Sequence, residues 1–272
     1  MSSIRRLAIV ANHTKSGVPK LAAELARVAE SLGVTAIVPK TYPLPEGVLD
    51  ACDACAVLGG DGTLLGVVGQ AVAAQVPVFG INRGKLGFLA YYPSENAAES
   101  LRAVLLGEYQ IVERTLLECR AQGGPPVVAL NDVVFKTQAY SHMARLRVRT
   151  DEEFINSYRC DGLIVTTPTG STAYNLSAGG PIIDPNADVF GVTPICPHTL
   201  SDRSLIFPRG TVITVEDEEK RGALTVTVDG VQLARESATF PVAVSLATQK
   251  MLLIQPRGLS HFELLRNKLR LA

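Results

Sequence analysis

The 272-residue sequence predicts a chain of α/β plus all-β class. An N-terminal doubly wound parallel-sheet domain is expected over residues 1–112, and a C-terminal β-rich domain over 113–255. Three observations predict this. Over the first 110 residues or so, short uncharged apolar runs alternate with segments of helical spacing, the pattern of strands joined by crossover helices. Beyond that point the apolar residues recur at every second position, the period of half-buried strands. The last residues, 256–272, regain helical spacing. A lone helix after a β-rich region must bury its apolar face, so this tail is expected to pack back on the first domain.

The elements follow in order. Leu7 to Ala11 reads as a buried strand ending in a turn at Asn12-His13. Residues 19–32 place Leu21, Leu25, Val28, Ala29 and Leu32 on one side of a helix that Gly33 stops. Val34 to Val38 reads as a strand and the proline-punctuated stretch Pro39 to Pro45 as loop. Ala54 to Leu58 is another apolar strand, followed by a helix over 63–75, a strand over Val76 to Ile81 and a helix over Ser94 to Leu106. In the second half, Leu146 to Arg149, Leu224 to Val228 and Phe240 to Leu246 alternate as strands do. Gly123 to Pro126 reads as a turn, and the charged run Glu216 to Gly222 as a solvated hairpin tip. In the tail, Ser260 and Glu263 have the spacing of a capping box, with Phe262, Leu265 and Leu269 as the apolar face.

Composition narrows the function classes. Lys+Arg and Asp+Glu both number 26, so the basic excess that a nucleic-acid partner or anionic membrane calls for is missing. No apolar run approaches the roughly 20 residues of a membrane span, and the N-terminus has no signal-peptide core. These features read as a cytoplasmic protein. The five cysteines are odd in number and scattered, which does not suggest a disulfide framework. Cys52 and Cys55 form a lone CxxC. It reads as two ordinary half-buried thiols, or as half a zinc site or a redox pair; no second Cys/His pair follows at finger-like spacing.

Two segments carry chemistry. Gly59-Gly60-Asp61-Gly62-Thr63 stands where a buried strand ends and a helix begins. Free N–H groups at such a helix start bind phosphate, and glycines let the backbone approach without a Cβ in the way. A carboxylate repels phosphate, so Asp61 suits a proton acceptor or a group facing a metal ion. The plain structural reading is a tight turn with Asp61 or Thr63 as N-cap. No Walker A loop is present: Gly80 to Lys85 has the wrong spacing, with Leu86 where Ser or Thr belongs. No GxGxxG follows the first strand.

The second segment runs from Asp161 to Pro181. It contains a short strand at Leu163 to Val165, a turn at Pro168 to Ser171 and a short helix over Thr172 to Ala178 closed by Gly179-Gly180. Its row of hydroxyls and backbone N–H groups suits a polar ligand such as a nucleotide as well as it suits a capped Ser/Thr-rich turn.

GGDGT resembles the signature shared by NAD kinases, diacylglycerol- and sphingosine-type lipid kinases and phosphofructokinases; alone it names a superfamily and no substrate. The segment 161–181 resembles the NAD-binding signature of the NAD kinase family. Gly80 to Leu89, Asn131-Asp132 (in place of that family's Asn-Glu), Pro197 to Leu200 and Arg203 to Pro208 agree with it, in the family's order, from about residue 5 to 265. The other readings are a lipid or sugar kinase of the same superfamily, which would need a long apolar pocket, and a non-catalytic NAD(P) sensor, which would be expected to lose Asp61.

The resemblance implies transfer of the γ-phosphoryl group of ATP to the 2′-hydroxyl of NAD's adenosine ribose. Asp61 would be the base. Gly59, Gly60, Gly62 and Thr63 would cradle phosphates, and Gly62 would also meet NAD. Asn131 and Asp132 would hold the adenosine, Asp132 at its ribose hydroxyls. Thr172, Ala173, Tyr174 and Ser177 would line the adenine pocket, with Asn175 and Leu176 in the same NAD-binding set. Phe88 and Leu89 would wall the dinucleotide site. Asp161 would contact the nicotinamide half, and Arg159 would offer charge to phosphates. An arginine at position 159 goes with ATP in the family, and a glycine with acceptance of polyphosphate. Mg²⁺ is the implied cofactor, held largely by phosphates, with no metal-ligating residues assigned; the implied assembly is a homodimer or homotetramer. Asp229-Gly230 resembles an Asp-Gly-Gln in which Val231 here precedes Gln232, so either of those two could meet the ligand. His13 and His198 read as loop or capping residues.

Overall fold

The computed structural model describes residues 4–12, 17–82, 87–138, 142–219, 224–233 and 239–269. Outside these lie His13, residues 83–86 of the Gly80 to Leu89 motif, and residues 220–222 of the charged run. The chain divides into two units, Met1–Glu113 with Met251–Ala272, and Arg114–Lys250.

The first unit is built on parallel strands. β1 (Arg6–Ala11) pairs with β2 (Thr35–Ile37) on one side and with β3 (Ala54–Leu58) on the other; β3 pairs with β4 (Val78–Asn82), and β4 with β5 (Tyr92–Pro93). Every residue of β3 and β4 is buried, which is why both read as apolar runs, β4 as far as Ile81. α1 (Val18–Ser31) buries Val18, Ala22, Leu25 and Ala29, a face turned slightly from the expected one, so that Leu32 is exposed. These residues share a cluster with Leu7 and Ile9 of β1, Leu58 of β3, Phe79 and Ile81 of β4, and Leu101 and Val104 of α4 (Ala97–Leu105).

The helix expected over 63–75 is two helices, α2 (Asp61–Leu65) and α3 (Val68–Ala74). Gly66 sits in the break, and a Cβ there would stand 3.1 Å from Cζ of Tyr42. Tyr42 therefore packs where any side chain at position 66 would begin. The tail helix, α6 (His261–Leu269), buries Leu264 in the same cluster as α1, as the expected packing requires. Its face differs from the expected one: Leu264 and Leu265 are buried while Phe262 is 61% exposed. Ser260 Oγ accepts the Glu263 N–H at 3.3 Å, one half of the capping box.

The second unit is antiparallel. One sheet runs β13 (Leu205–Pro208), β12 (Val189–Ile195), β11 (Gly162–Thr166), β8 (Asp132–Thr137), β15 (Leu224–Val228), β16 (Val231–Gln232). The other contains β10 (Phe154–Cys160), β9 (Ala144–Arg149), β14 (Val212–Asp217) and the start of β17 (Val242–Gln255). β6 (Gln110–Ala121) pairs with β7 (Val127–Ala129) across the Gly123 to Pro126 turn. Inward residues of both sheets form one core: Leu146, Val148 and Tyr158 from one, Phe135, Val165 and Phe190 from the other.

The charged run after Thr214 is not a bare hairpin tip. Glu216 belongs to β14 and accepts from Arg149 at 2.9 Å; Glu218 accepts from Arg147 at 2.7 Å and from Ser157 Oγ at 2.8 Å. The three arginines of β9 point to one side at every second position, and the glutamates lie across from them in register. No helix among the described residues is long and apolar enough to cross a membrane.

Candidate active site

In the first unit β3 runs out at Gly59-Gly60 and α2 begins at Asp61. The N-cap is Gly60, in extended conformation at φ −86°, with no side-chain cap; neither Asp61 nor Thr63 caps the helix. The Gly60 carbonyl accepts the N–H groups of Thr63 and Leu64. The three glycines differ in what they do. A Cβ on Gly59 would stand 2.8 Å from the Cβ of buried Thr63, so Gly59 is a packing residue. Around Gly60 and Gly62 nothing lies within 4 Å of where a Cβ would be, and neither has a left-handed φ. Packing and backbone conformation leave these two glycines unexplained. Open space beside the main chain is what they provide.

Asp61 does not project freely. Its Oδ2 accepts the Phe88 N–H at 2.8 Å and its Oδ1 accepts those of Leu89 and Ala90, both at 3.1 Å. A carboxylate offers roughly four acceptor positions, so about one remains. Gly87 is part of the fit: a Cβ there would stand 2.7 Å from Asp61 Cγ. Leu89 is 2% exposed, so its side chain is core and only its N–H faces Asp61. The ring of half-buried Phe88 lies 5.9 Å from the Lys268 ammonium.

In the second unit Asn131 and Asp132 lead into β8. The carboxylate of Asp229, at the β15–β16 turn, accepts three successive N–H groups: Leu130 at 2.7 Å, Asn131 at 2.7 Å and Asp132 at 3.1 Å. Just past β11, Thr167 Oγ1 donates to the Leu130 carbonyl at 2.5 Å and the Thr167 N–H to that of Asn131 at 2.9 Å. Gly170 lies against the Asn131 backbone, where a Cβ would stand 2.5 Å from its carbonyl carbon. Asp132 is 6% exposed. Burial, and then the charge of Asp229, push its carboxyl up to about 7. Burial raises Asp229 as well, against the three N–H groups that favour its charged form.

Downstream, Gly170–Thr172 is a 3₁₀ turn and α5 (Tyr174–Ser177) a single helical turn. Tyr174 and Ser177 are exposed; Thr172, Ala173 and Leu176 are half-buried. Asn175 has its side chain turned to partners within the fold. It is fully buried, donates to the carbonyls of Ser171 and Pro181, and accepts from Thr193 Oγ1 at 2.7 Å, so its amide holds the turn to β12. Arg159 is exposed near the end of β10, and half-buried Asp161 follows, its N–H donating to Ile195 O at 3.0 Å. His198 donates its N–H to the Arg159 carbonyl. Val231 and Gln232 are both exposed on β16. The roles of Thr166, Thr167 and Thr193 are not legible in the sequence; a dense run of hydroxyls marks the first two, and nothing marks Thr193.

Cys52 and Cys55 are buried thiols, and burial raises both. Among the described residues no three His, Cys, Asp or Glu side chains gather as a metal cage.

The chain is similar to known proteins along most of its length. The sequence model of the ATP-NAD kinase N-terminal domain matches residues 45–109, and that of the ATP-NAD kinase C-terminal domain residues 130–255. An NAD kinase of Acidovorax ebreus (strain TPSY) is 40% identical over 228 residues, 82% of this chain and 76% of the relative. One of Clostridium botulinum (strain Kyoto / Type A2) is 38% identical over 222 residues, 80% and 79% of the two chains. Among solved structures, a yeast NADH kinase complexed with NADH shares the fold, with TM-score 0.86 and 24% identity over 99% of this chain and 88% of that one. An NAD kinase from Archaeoglobus fulgidus in complex with ATP has TM-score 0.80 and 25% identity, covering 97% and 98%.

Proposed function

The chain belongs to the NAD kinase family and is a kinase that phosphorylates NAD, and on that premise we propose that Asp61 is the base of the reaction. The bond from the γ-phosphorus of ATP to its bridging oxygen breaks, and a bond to the adenosine 2′-oxygen of NAD forms. The hydroxyl proton goes to Asp61, leaving NADP and ADP. The observation that carries this reading is the held carboxylate: three N–H groups fix its orientation and leave about one lone pair to accept a proton. General-base transfer by a positioned group contributes about 10²–10⁴-fold.

Gly60 and Gly62 let phosphate oxygens approach backbone N–H groups where side chains would intervene. Asn131 and Asp132 hold the adenosine, with Thr172, Ala173, Tyr174 and Ser177 around the adenine. With a carboxyl near neutrality, Asp132 can donate to a ribose oxygen when protonated and accept from a hydroxyl when ionised. Arg159 offers charge to phosphates, and Asp161 meets the nicotinamide half. Mg²⁺, entering with ATP, supplies charge neutralisation at the transferred group. The family's homodimeric or homotetrameric assembly, and a cytoplasmic location, are carried over with this reading.

An NAD analogue lacking only the adenosine 2′-hydroxyl tests the acceptor. It is expected to compete with NAD and to receive no phosphate. Phosphorylation of the analogue would move the acceptor to another hydroxyl.

A further inference from the structure

We propose that Asp229 is a positioning residue for NAD, holding the backbone of Leu130–Asp132 so that Asn131 and Asp132 present their side chains to the adenosine. The proposal rests on the reading that those two residues bind it. Asp229 stands with Gly230 at a two-residue turn between β15 and β16, at φ +48° and +80°. Asn-Gly serves such a turn at least as well as Asp-Gly. What aspartate adds is a second acceptor oxygen, and both oxygens are used on a segment 97 to 99 residues away.

The segment is held from every side. Its three N–H groups go to Asp229, and the Asp132 carbonyl accepts the Asp229 N–H at 3.0 Å. The Leu130 and Asn131 carbonyls go to Thr167, with Thr166 Oγ1 adding a longer bond at 3.3 Å. Main-chain hydrogen bonding is thus complete, and the side chains at 131 and 132 are left for other partners. Asp61 and the Phe88–Ala90 backbone repeat the device in the first unit, again with one carboxylate, three successive N–H groups and a glycine after the aspartate. A buried carboxylate is costly unless hydrogen-bonded, and three donors in a row make that position tenable for an anion.

Asp229→Asn keeps the turn and the volume but sets an NH₂ against a backbone N–H. The expected result is a rise of about tenfold in KM for NAD, with KM for ATP within about twofold. The effect should be smaller when Asn131 is already alanine, because the part of it that acts through Asn131 is then already lost. Equal KM for NAD in Asp229→Asn and wild type, or full additivity with Asn131→Ala, would overturn the proposal. If Asp229→Asn does not fold by circular dichroism, Asp229→Glu, which keeps charge and both oxygens, is measured by the same two criteria. Asn131→Ala alone separates the readings. If it leaves KM for NAD unchanged, the adenosine site itself is misplaced; if it raises KM and Asp229 variants do not, only the positioning role fails.

Discussion

The carboxylate of Asp61 accepts the backbone N–H of Phe88 at 2.8 Å, so the residue proposed as the base also fastens the start of the segment Phe88–Ala90. Both duties rest on one side chain, and they can be separated by substitution.

Gly87→Ala would bring a Cβ to 2.7 Å from Asp61 Cγ. The carboxylate must turn or the backbone must move. Turnover is expected to fall by about tenfold or more, because a misplacement of about 1 Å costs on the order of 10²-fold. Steady-state kinetics beside a thermal melt checks this; unchanged kcat in a folded variant contradicts it.

The glycines of the GGDGT loop should separate cleanly. Gly59→Ala meets Thr63 and is expected to lose about 1–3 kcal/mol of stability. Gly60→Ala and Gly62→Ala have room, so their stability should stay within about 1 kcal/mol of wild type. They should instead raise KM for ATP. Urea unfolding and ATP saturation curves on the three variants test the assignment. A Gly62→Ala enzyme with normal ATP kinetics would remove the phosphate role from that position.

Asp132 makes stability depend on pH in a sense opposite to a salt-bridged aspartate. Its folded-state carboxyl is near 7, against about 3.9 in an unfolded chain. Between those values the folded state holds a proton that the unfolded state has lost. The contribution is therefore full below about pH 4 and is lost as pH rises through about 7. Asp229, also raised, acts in the same direction. Relative to Asp132→Asn, wild type should lose roughly 3–4 kcal/mol between pH 4 and pH 8. Denaturant unfolding across that range measures the difference; a constant gap between the two proteins would show that Asp132 titrates normally.

Glu218 ties Arg147 and Ser157 to β14 while remaining partly exposed. Glu218→Gln is expected to cost about 1 kcal/mol or less, and less again in 1 M salt. A loss independent of salt in thermal melts would assign the effect to packing.

Local signals in the sequence matched the fold well. Ala54–Leu58 is legible because a strand buried on both faces is apolar throughout and is stopped by Gly59-Gly60. Leu224–Val228 is legible because its period is two. The need for glycine at position 66 is not, since it comes from Tyr42, 24 residues earlier and joined only through the fold. The face of the tail helix is legible only in part: Leu265 is buried as its spacing predicts, but Phe262 is apolar yet exposed. The segments of the candidate site are marked in the sequence by their glycines and hydroxyls. The clamps are not: Asp61 reaches 27 to 29 residues ahead, and Asp229 reaches 97 to 99 residues back. Within the signature, Asn175 looks like any other polar residue, and only its burial against Gly180 and Thr193 shows that it serves the fold.

The most direct test is NADP formation from NAD and ATP with Mg²⁺ by wild type and Asp61→Asn, each first shown to be folded. Wild type should make NADP, and the variant should turn over about 10²–10⁴-fold more slowly. It should also melt lower, since an amide cannot accept all three N–H groups. A folded Asp61→Asn that makes NADP at the wild-type rate would contradict the assignment of the base.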